Sequence, residues 1–166
     1  QGLLGMMPGN VFTYYGDEIG MVGAGDDPNK RLAMYWNDGD MTQQPPGVTS
    51  VEYAYPSVDA QKKDSASLLN YCKAVNQARL QSPLIARGEN TFLYSDKNVV
   101  LMQREMDGKC CYIAVNFAKT EATVDVPATG LKIVSDLEVA EAKAKLTKGD
   151  GQTTVTLPGY GIVVIE

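Results

Sequence analysis

Asp17 and Glu18 are neighbours, Asp27 stands four positions before Arg31, and none of the 166 residues is a histidine. Without an imidazole there is no Ser/His/Asp triad, no Cys/His dyad and no His-ligated zinc. The three cysteines, Cys72, Cys110 and Cys111, lack a CxxC spacing and offer no zinc site either. Acid–base or nucleophilic chemistry in this chain falls to carboxylates, tyrosines or lysines. The side chains of Asp17 and Glu18, adjacent at the end of a strand, diverge and do not converge on one reacting atom. Asn37-Asp38-Gly39-Asp40 has the look of a calcium loop but lacks the later ligands and closing Glu of an EF-hand, so a solvated turn is expected there. No cofactor or metal site is evident.

The chain carries a net charge of -5, which argues against nucleic acid, because a polyanion is bound by a basic surface that releases its counterions. No apolar run approaches the roughly eighteen residues that cross a bilayer, so no membrane span is expected. The opening Gln-Gly-Leu-Leu-Gly-Met-Met lacks the basic start of a signal peptide, and the compartment is left open. With 44% hydrophobic and 21% charged residues, the chain has material for one good core and part of a second. Neighbours on a strand face opposite ways, so Cys110 and Cys111 are unsuited to pairing; all three cysteines are expected to be buried free thiols.

Three kinds of element must position these residues. Val11 to Tyr15, introduced by Pro8-Gly9, has the β-branched and aromatic content of a buried strand. From Gly16 to about Ala60 the chain is rich in Gly, Pro, Asp and Asn and reads as a long ordered loop, a kind that is usually functional. Asp64 to Gln81 has helical spacing at Leu68, Cys72, Val75 and Arg79, a cap at Asp64 or Ser65, and a stop at Ser82-Pro83. Short strand-like runs then follow at 91–94, 99–104, 110–117, 122–126, 131–135, 153–157 and 161–165, the pattern of an antiparallel sandwich. Met106-Asp107-Gly108-Lys109 predicts a tight hairpin and Lys148 to Gln152 a looser one. Ala140 to Lys145 fits a strand or a helical turn.

Taken in order, Tyr14-Tyr15-Gly16-Asp17-Glu18-Ile19-Gly20-Met21, Asp27-Pro28-x-x-Arg31-x-x-Met34-x-Trp36, Ser67-Leu68-Leu69-x-Tyr71, Ala78-Arg79-Leu80 and Pro83-Leu84 resemble the tail of α-amylase-family glycoside hydrolases. The branch most similar in feel is that of cyclomaltodextrinases, neopullulanases and α-glucosidases. The resemblance implies a mainly β chain: an antiparallel β-sandwich C-terminal domain over residues 83–166, preceded over residues 1–82 by the last strand, rim loop and helix of a (β/α)8 barrel. In such barrels the active site lies at the carboxyl ends of the strands.

The same resemblance places the catalytic Asp, Glu and Asp of a retaining mechanism upstream, so no catalytic residue is expected here and this fragment alone is expected to be inactive. Retaining hydrolysis also needs two carboxyl groups about 5 Å apart facing one sugar, which Asp17 and Glu18 do not provide. One of those two is expected in a structural ion pair, with Arg31 as a candidate partner. In that branch the Asp and Arg of the loop, here Asp27 and Arg31, look toward sugar hydroxyls; a purely structural ion pair between them is the alternative. Of the aromatic residues, Tyr35 and Tyr53 are the candidates for cleft exposure and Trp36 is expected to anchor the loop. The implied partner is an α-linked glucose oligo- or polysaccharide. A transglycosidase, or a stand-alone sugar-binding or structural sandwich, is the alternative. The apolar residues 1–21 are candidates for self-association.

Overall fold

Alternation of apolar side chains explains most of the architecture. The computed structural model describes residues 1–39, 41–138 and 142–166. Eight strands are described: β1 (Glu89–Ser95), β2 (Val99–Met106), β3 (Lys109–Asn116), β4 (Ala122–Val126), β5 (Ile133–Leu137), β6 (Lys145–Lys148), β7 (Thr153–Leu157) and β8 (Ile162–Ile165). They form an antiparallel five-stranded sheet in the order β1-β2-β3-β8-β5 and a three-stranded sheet in the order β4-β7-β6. Val99 and Leu101 of β2, Tyr112 and Ala114 of β3, Val163 and Ile165 of β8 meet Val124, Val126, Val155 and Leu157 of the smaller sheet in one core. Every second residue points inward, as two stacked sheets require. The mainly β, antiparallel expectation holds, and no closed barrel is present among the described residues.

Among the described residues there are four α-helices: α1 (Gly2–Met6), α2 (Val58–Lys63), α3 (Leu68–Gln81) and α4 (Pro83–Arg87). None is long and apolar enough to cross a membrane. The chain divides into two compact units, one of Gln1 with Phe12–Lys73 and one of Gly2–Val11 with Ala74–Glu166.

In the second unit the outer face of the larger sheet is also covered. Met102, Arg104, Cys111, Ile113 and Val164 are fully buried there, as is Ile85 of α4. Strands β3 and β8 are therefore buried on both faces and read as continuous apolar runs rather than alternating ones. Two arginines fasten the first residues of the chain in this unit. Arg79 donates to the carbonyl oxygens of Gly5 and Met7 at 2.8 and 2.7 Å and also to that of Gly9. Arg104 donates to Met6 O at 2.9 Å, while its Nε and Nη1 are enclosed without a partner. Burial pulls the Arg104 guanidinium below its usual range, and Arg79 adds to that. Gly5 has to be glycine for this packing, since a Cβ there would lie 2.1 Å from Val75 Cγ1.

Several boundaries differ from expectation. Residues 11–15 form no strand, and Phe12 is 86% exposed. A buried barrel strand needs hydrogen-bonded neighbours and cover on both faces, and no described strand lies along this segment. The long helix starts at Leu68 rather than Asp64, because the Asp64 carboxylate is used in a turn by Ala66 N at 2.9 Å, and Ser67 Oγ caps Asn70 N at 3.3 Å. Strand β5 lies two residues later than expected, following Gly130 at φ 75° and carrying an irregular register between Ile133 and Ser135. The tight hairpin forms as expected, with Met106 paired to Lys109 and Asp107 and Gly108 at φ 54° and 72°. The looser one also forms, closed by Gly149 N to Gln152 O at 2.9 Å. For Ala140 to Lys145, residues 140 and 141 lie outside the described residues, and β6 begins at Lys145.

Cys72 and Cys111 are buried free thiols, whereas Cys110 is exposed, because it is the last residue before β3 enters the core. Burial pushes the Cys72 thiol up and the Cys111 thiol up to about 12. Titration of the native chain with a disulfide reagent at neutral pH is accordingly expected to modify Cys110 alone, with Cys72 and Cys111 reacting only after denaturation; fast labelling of either buried thiol would contradict it. Arg79→Ala should lower the unfolding free energy measured in urea by about 2–3 kcal/mol. Arg104→Met should leave it unchanged or raise it, because a buried cation with unpaired donors is replaced by an apolar chain of similar length.

Candidate functional site

The candidate site belongs to the first unit, where the chain turns twice in succession. Glycines at 16 and 20, with φ of 91° and 72°, bracket a 3-10 turn at Asp17–Ile19. Asp17 Oδ2 accepts from Tyr14 N at 3.1 Å and Glu18 Oε2 from Gly16 N at 2.8 Å. Neither carboxylate pairs with Arg31, which corrects the expected ion pair: local backbone donors lie within reach of both, and Arg31 is taken elsewhere. A second 3-10 turn, Asp27–Lys30, has Pro28 in its first positions and brings Arg31 back over Asp27. The Arg31 guanidinium donates to Asp27 Oδ2. The two side chains are 54% and 74% exposed, so this pair contributes well under about 1 kcal/mol to stability. It is an exposed hydrogen-bonded pair.

What holds the turn is Asn29, which is 7% exposed. Its Oδ1 accepts from Thr49 N at 2.9 Å and Ser50 N at 3.3 Å, and its Nδ2 donates to Thr49 Oγ1 at 3.1 Å. Asn29 thus ties the Asp27–Arg31 turn to a segment twenty residues later. Sequence reasoning passed over Asn29, whose only signal is its place inside the Asp-Pro-x-x-Arg motif. Gln44 does similar work, accepting from Ala33 N at 2.9 Å and donating to Tyr53 Oη at 2.9 Å.

The aromatic residues divide their roles. Tyr35 and Tyr53 stack on each other with centroids 4.2 Å apart at 17°, so each ring spends one face on its neighbour. Tyr53 Oη donates to Ala33 O at 3.2 Å, and the Tyr35 hydroxyl donates to Asp38, which raises its pKa. Trp36 does not anchor the loop by its ring, which is 47% exposed; its backbone does so, through Trp36 O accepting from Asp59 N at 3.0 Å. Tyr15 donates to Leu32 O at 3.0 Å, and burial with adjacent Tyr14 pushes its hydroxyl up.

A hollow of about 140 Å³ is lined by Tyr14, Tyr15, Asp17, Met21, Asn29 and Lys30, among others. Ligand pockets that enclose a small molecule begin near 300 Å³, so this hollow is too small to enclose one. Among the described residues no group of three or more His, Cys, Asp or Glu is arranged to hold a metal ion. At the turn that has the look of a calcium loop, Asp38 serves Tyr35, and Asp40 lies outside the described residues.

A family model described as the alpha-amylase catalytic domain matches residues 1–88. The solved structure of Eubacterium rectale Amy13B is 38% identical, with a TM-score of 0.89 over 99% of this chain and 33% of that one. The amino acid transporter heavy chain SLC3A1 of Rattus norvegicus is 27% identical over 92% of this chain and 25% of its own length. The trehalose synthase/amylase TreS of Mycobacterium tuberculosis is 28% identical over 96% of this chain and 30% of its own length. The chain therefore spans about a third or less of the proteins it is similar to.

Because Asn29 is nearly enclosed and makes three hydrogen bonds, Asn29→Ala should destabilise the loop by about 1–3 kcal/mol. Limited proteolysis is expected to cut between residues 41 and 57 in that variant before it cuts the unaltered chain; identical digestion patterns would argue against the role given to Asn29.

Proposed function

The chain belongs to the alpha-amylase family, and on that premise we propose that it is the C-terminal part of a glycoside hydrolase acting on α-glucans or maltooligosaccharides. The match of residues 1–88 to a catalytic-domain model carries the reading. Residues 1–82 are the end of the barrel and residues 83–166 the C-terminal sandwich domain. The retaining chemistry, in this reading, comes from upstream Asp, Glu and Asp residues, since Asp17 and Glu18 bind backbone amides and do not face each other across a sugar.

Asp27 and Arg31 are the substrate-binding residues. A carboxylate accepts from sugar hydroxyls, and a guanidinium fork both orients that carboxylate and donates to hydroxyl oxygens. The exposure of the pair supports this, because so exposed a pair does little for folding. Leu3 and Leu4 of the second unit are exposed, and so are Phe12, Tyr14 and Tyr15 of the first, apolar groups in residues 1–21 suited to self-association or to cover by the rest of a barrel.

Transfer to a sugar hydroxyl in place of water is a second reading, favoured by the similarity to a protein named both trehalose synthase and amylase. A non-catalytic role is a third, favoured by the similarity to a transporter heavy chain. An isolated sandwich would leave the match over residues 1–88 without a reason.

In the full-length enzyme, Asp27→Ala and Arg31→Ala are expected to raise KM for maltooligosaccharides about tenfold or more while changing kcat less. The purified 166-residue chain should release neither glucose nor maltose. Unchanged KM in both variants would remove these residues from the substrate site, and sugar release by the chain alone would refute the upstream assignment of catalysis.

A further inference from the structure

We propose that Asn29 is a positioning residue for the Asp27–Arg31 pair, acting with Gln44 and Tyr53 to fix the turn that carries it; this rests on the reading of that pair as substrate-binding. The pair does not hold itself in place. Its side chains are 54% and 74% exposed, and an ion pair so open to water gains little against the entropy of fixing two side chains. The turn beneath it is weak as well. It has four residues, no side-chain cap at Asp26, and hydrogen bonds of the 3-10 kind, whose geometry is poorer than in an α-helix.

Other groups of the first unit supply what the turn lacks. Before Arg31, the buried Asn29 amide binds Thr49 N, Ser50 N and Thr49 Oγ1. After Arg31, Leu32 O accepts from Tyr15 Oη at 3.0 Å, Ala33 N donates to Gln44 Oε1 at 2.9 Å, and Ala33 O accepts from Tyr53 Oη at 3.2 Å. Gln44 and Tyr53 are bonded in turn, Gln44 Nε2 to Tyr53 Oη at 2.9 Å. Two close approaches complete the cradle. A Cβ on Gly23 would lie 2.2 Å from Asn29 O and 2.9 Å from Lys30 Cα, and one on Gly47, at φ 85°, would lie 3.2 Å from Pro28 Cγ. Backbone packs against the turn at both places, where a side chain has no room.

A bland account is that a long loop must satisfy its backbone groups somewhere. It covers the bonds at Leu32 and Ala33 taken singly, but not where the rigidity stops. The backbone is fixed on both sides of Arg31, while the guanidinium and the Asp27 carboxylate stay in the open. That division suits a pair that has to meet hydroxyl groups at a set place, because a misplacement of about 1 Å can cost about a hundredfold in rate.

Kinetics of the full-length enzyme test this. Asn29→Ala is expected to raise KM for maltooligosaccharides about fivefold to tenfold with kcat changed less, and to add nothing further when combined with Arg31→Ala. A merely structural role reads differently: lost fold removes active enzyme, lowers the apparent kcat and leaves KM where it was. Thr49→Val is the milder variant, since it removes one acceptor at an exposed position and keeps the backbone amide that Asn29 binds; it should raise KM about twofold. The KM of Asn29→Ala decides, and where that variant does not fold the KM of Thr49→Val decides in its place. An unchanged value there, beside a raised KM in Arg31→Ala, overturns the positioning role and leaves the substrate pair standing. Losses that multiply in the double variant overturn it too, because Asn29 then acts apart from Arg31. Unchanged KM in Arg31→Ala itself overturns the substrate assignment and the positioning role together.

Discussion

Three carbonyl oxygens converge on one guanidinium, and the arrangement of the second unit depends on that convergence. Gly5, Met7 and Gly9 lie at the end of a five-residue helix too short to be stable by itself. Arg79 supplies the donors that those terminal carbonyls lack, and Gly9 N closes the arrangement on Ala86 O at 2.8 Å. Gly2–Val11 thereby count with the sandwich and not with the loop that follows them. Arg104 repeats the device once, at Met6, but in full burial and with two donors unspent. One arginine secures the chain start, and the other holds it at a desolvation cost.

The first unit is organised by a different means. It buries few large apolar side chains, chiefly Ile19, Leu32 and Val58, and relies on polar nodes. Gln61, 2% exposed, donates to Ile19 O and Pro56 O at 2.9 and 2.8 Å, while its Oε1 accepts from Leu69 N at 3.1 Å. Asn29 joins the Asp27–Arg31 turn to Thr49 in the same way. A long loop held by buried amides keeps its shape without becoming hydrophobic, so its rim can present carboxylate and guanidinium groups to a polar ligand. Structure and proposed function meet at this point: the exposed pair is free to bind because it is not what holds the loop.

Local chemistry was legible wherever a single element decided it. Asp107-Gly108 makes its hairpin because its backbone angles are a property of those two residues. Strands β2, β3, β4, β7 and β8 fall close to where alternation or apolar runs put them. The Asp-Pro-x-x-Arg spacing and the order of the motifs carry the resemblance to the family. Legibility failed where a partner far along the chain decides the outcome. Val11 to Tyr15 has strand composition, yet composition does not supply the neighbouring strands that a strand requires. Arg31 had three acidic candidates, and a 3-10 turn with Pro28 in its first positions brought the nearest one into reach.

By itself, then, the sequence determined the fold class and the chemistry that is missing, because periodicity, turn residues and residue inventory are local or countable; the family rested on the resemblance of its ordered motifs. Only the tertiary structure decided that Asp17 and Glu18 serve backbone amides and that Asn29 and Gln61 are the buried nodes. Each of those facts depends on which side chains meet across sequence distance, and hydrogen-bond partners at such separations leave no periodic trace in the chain.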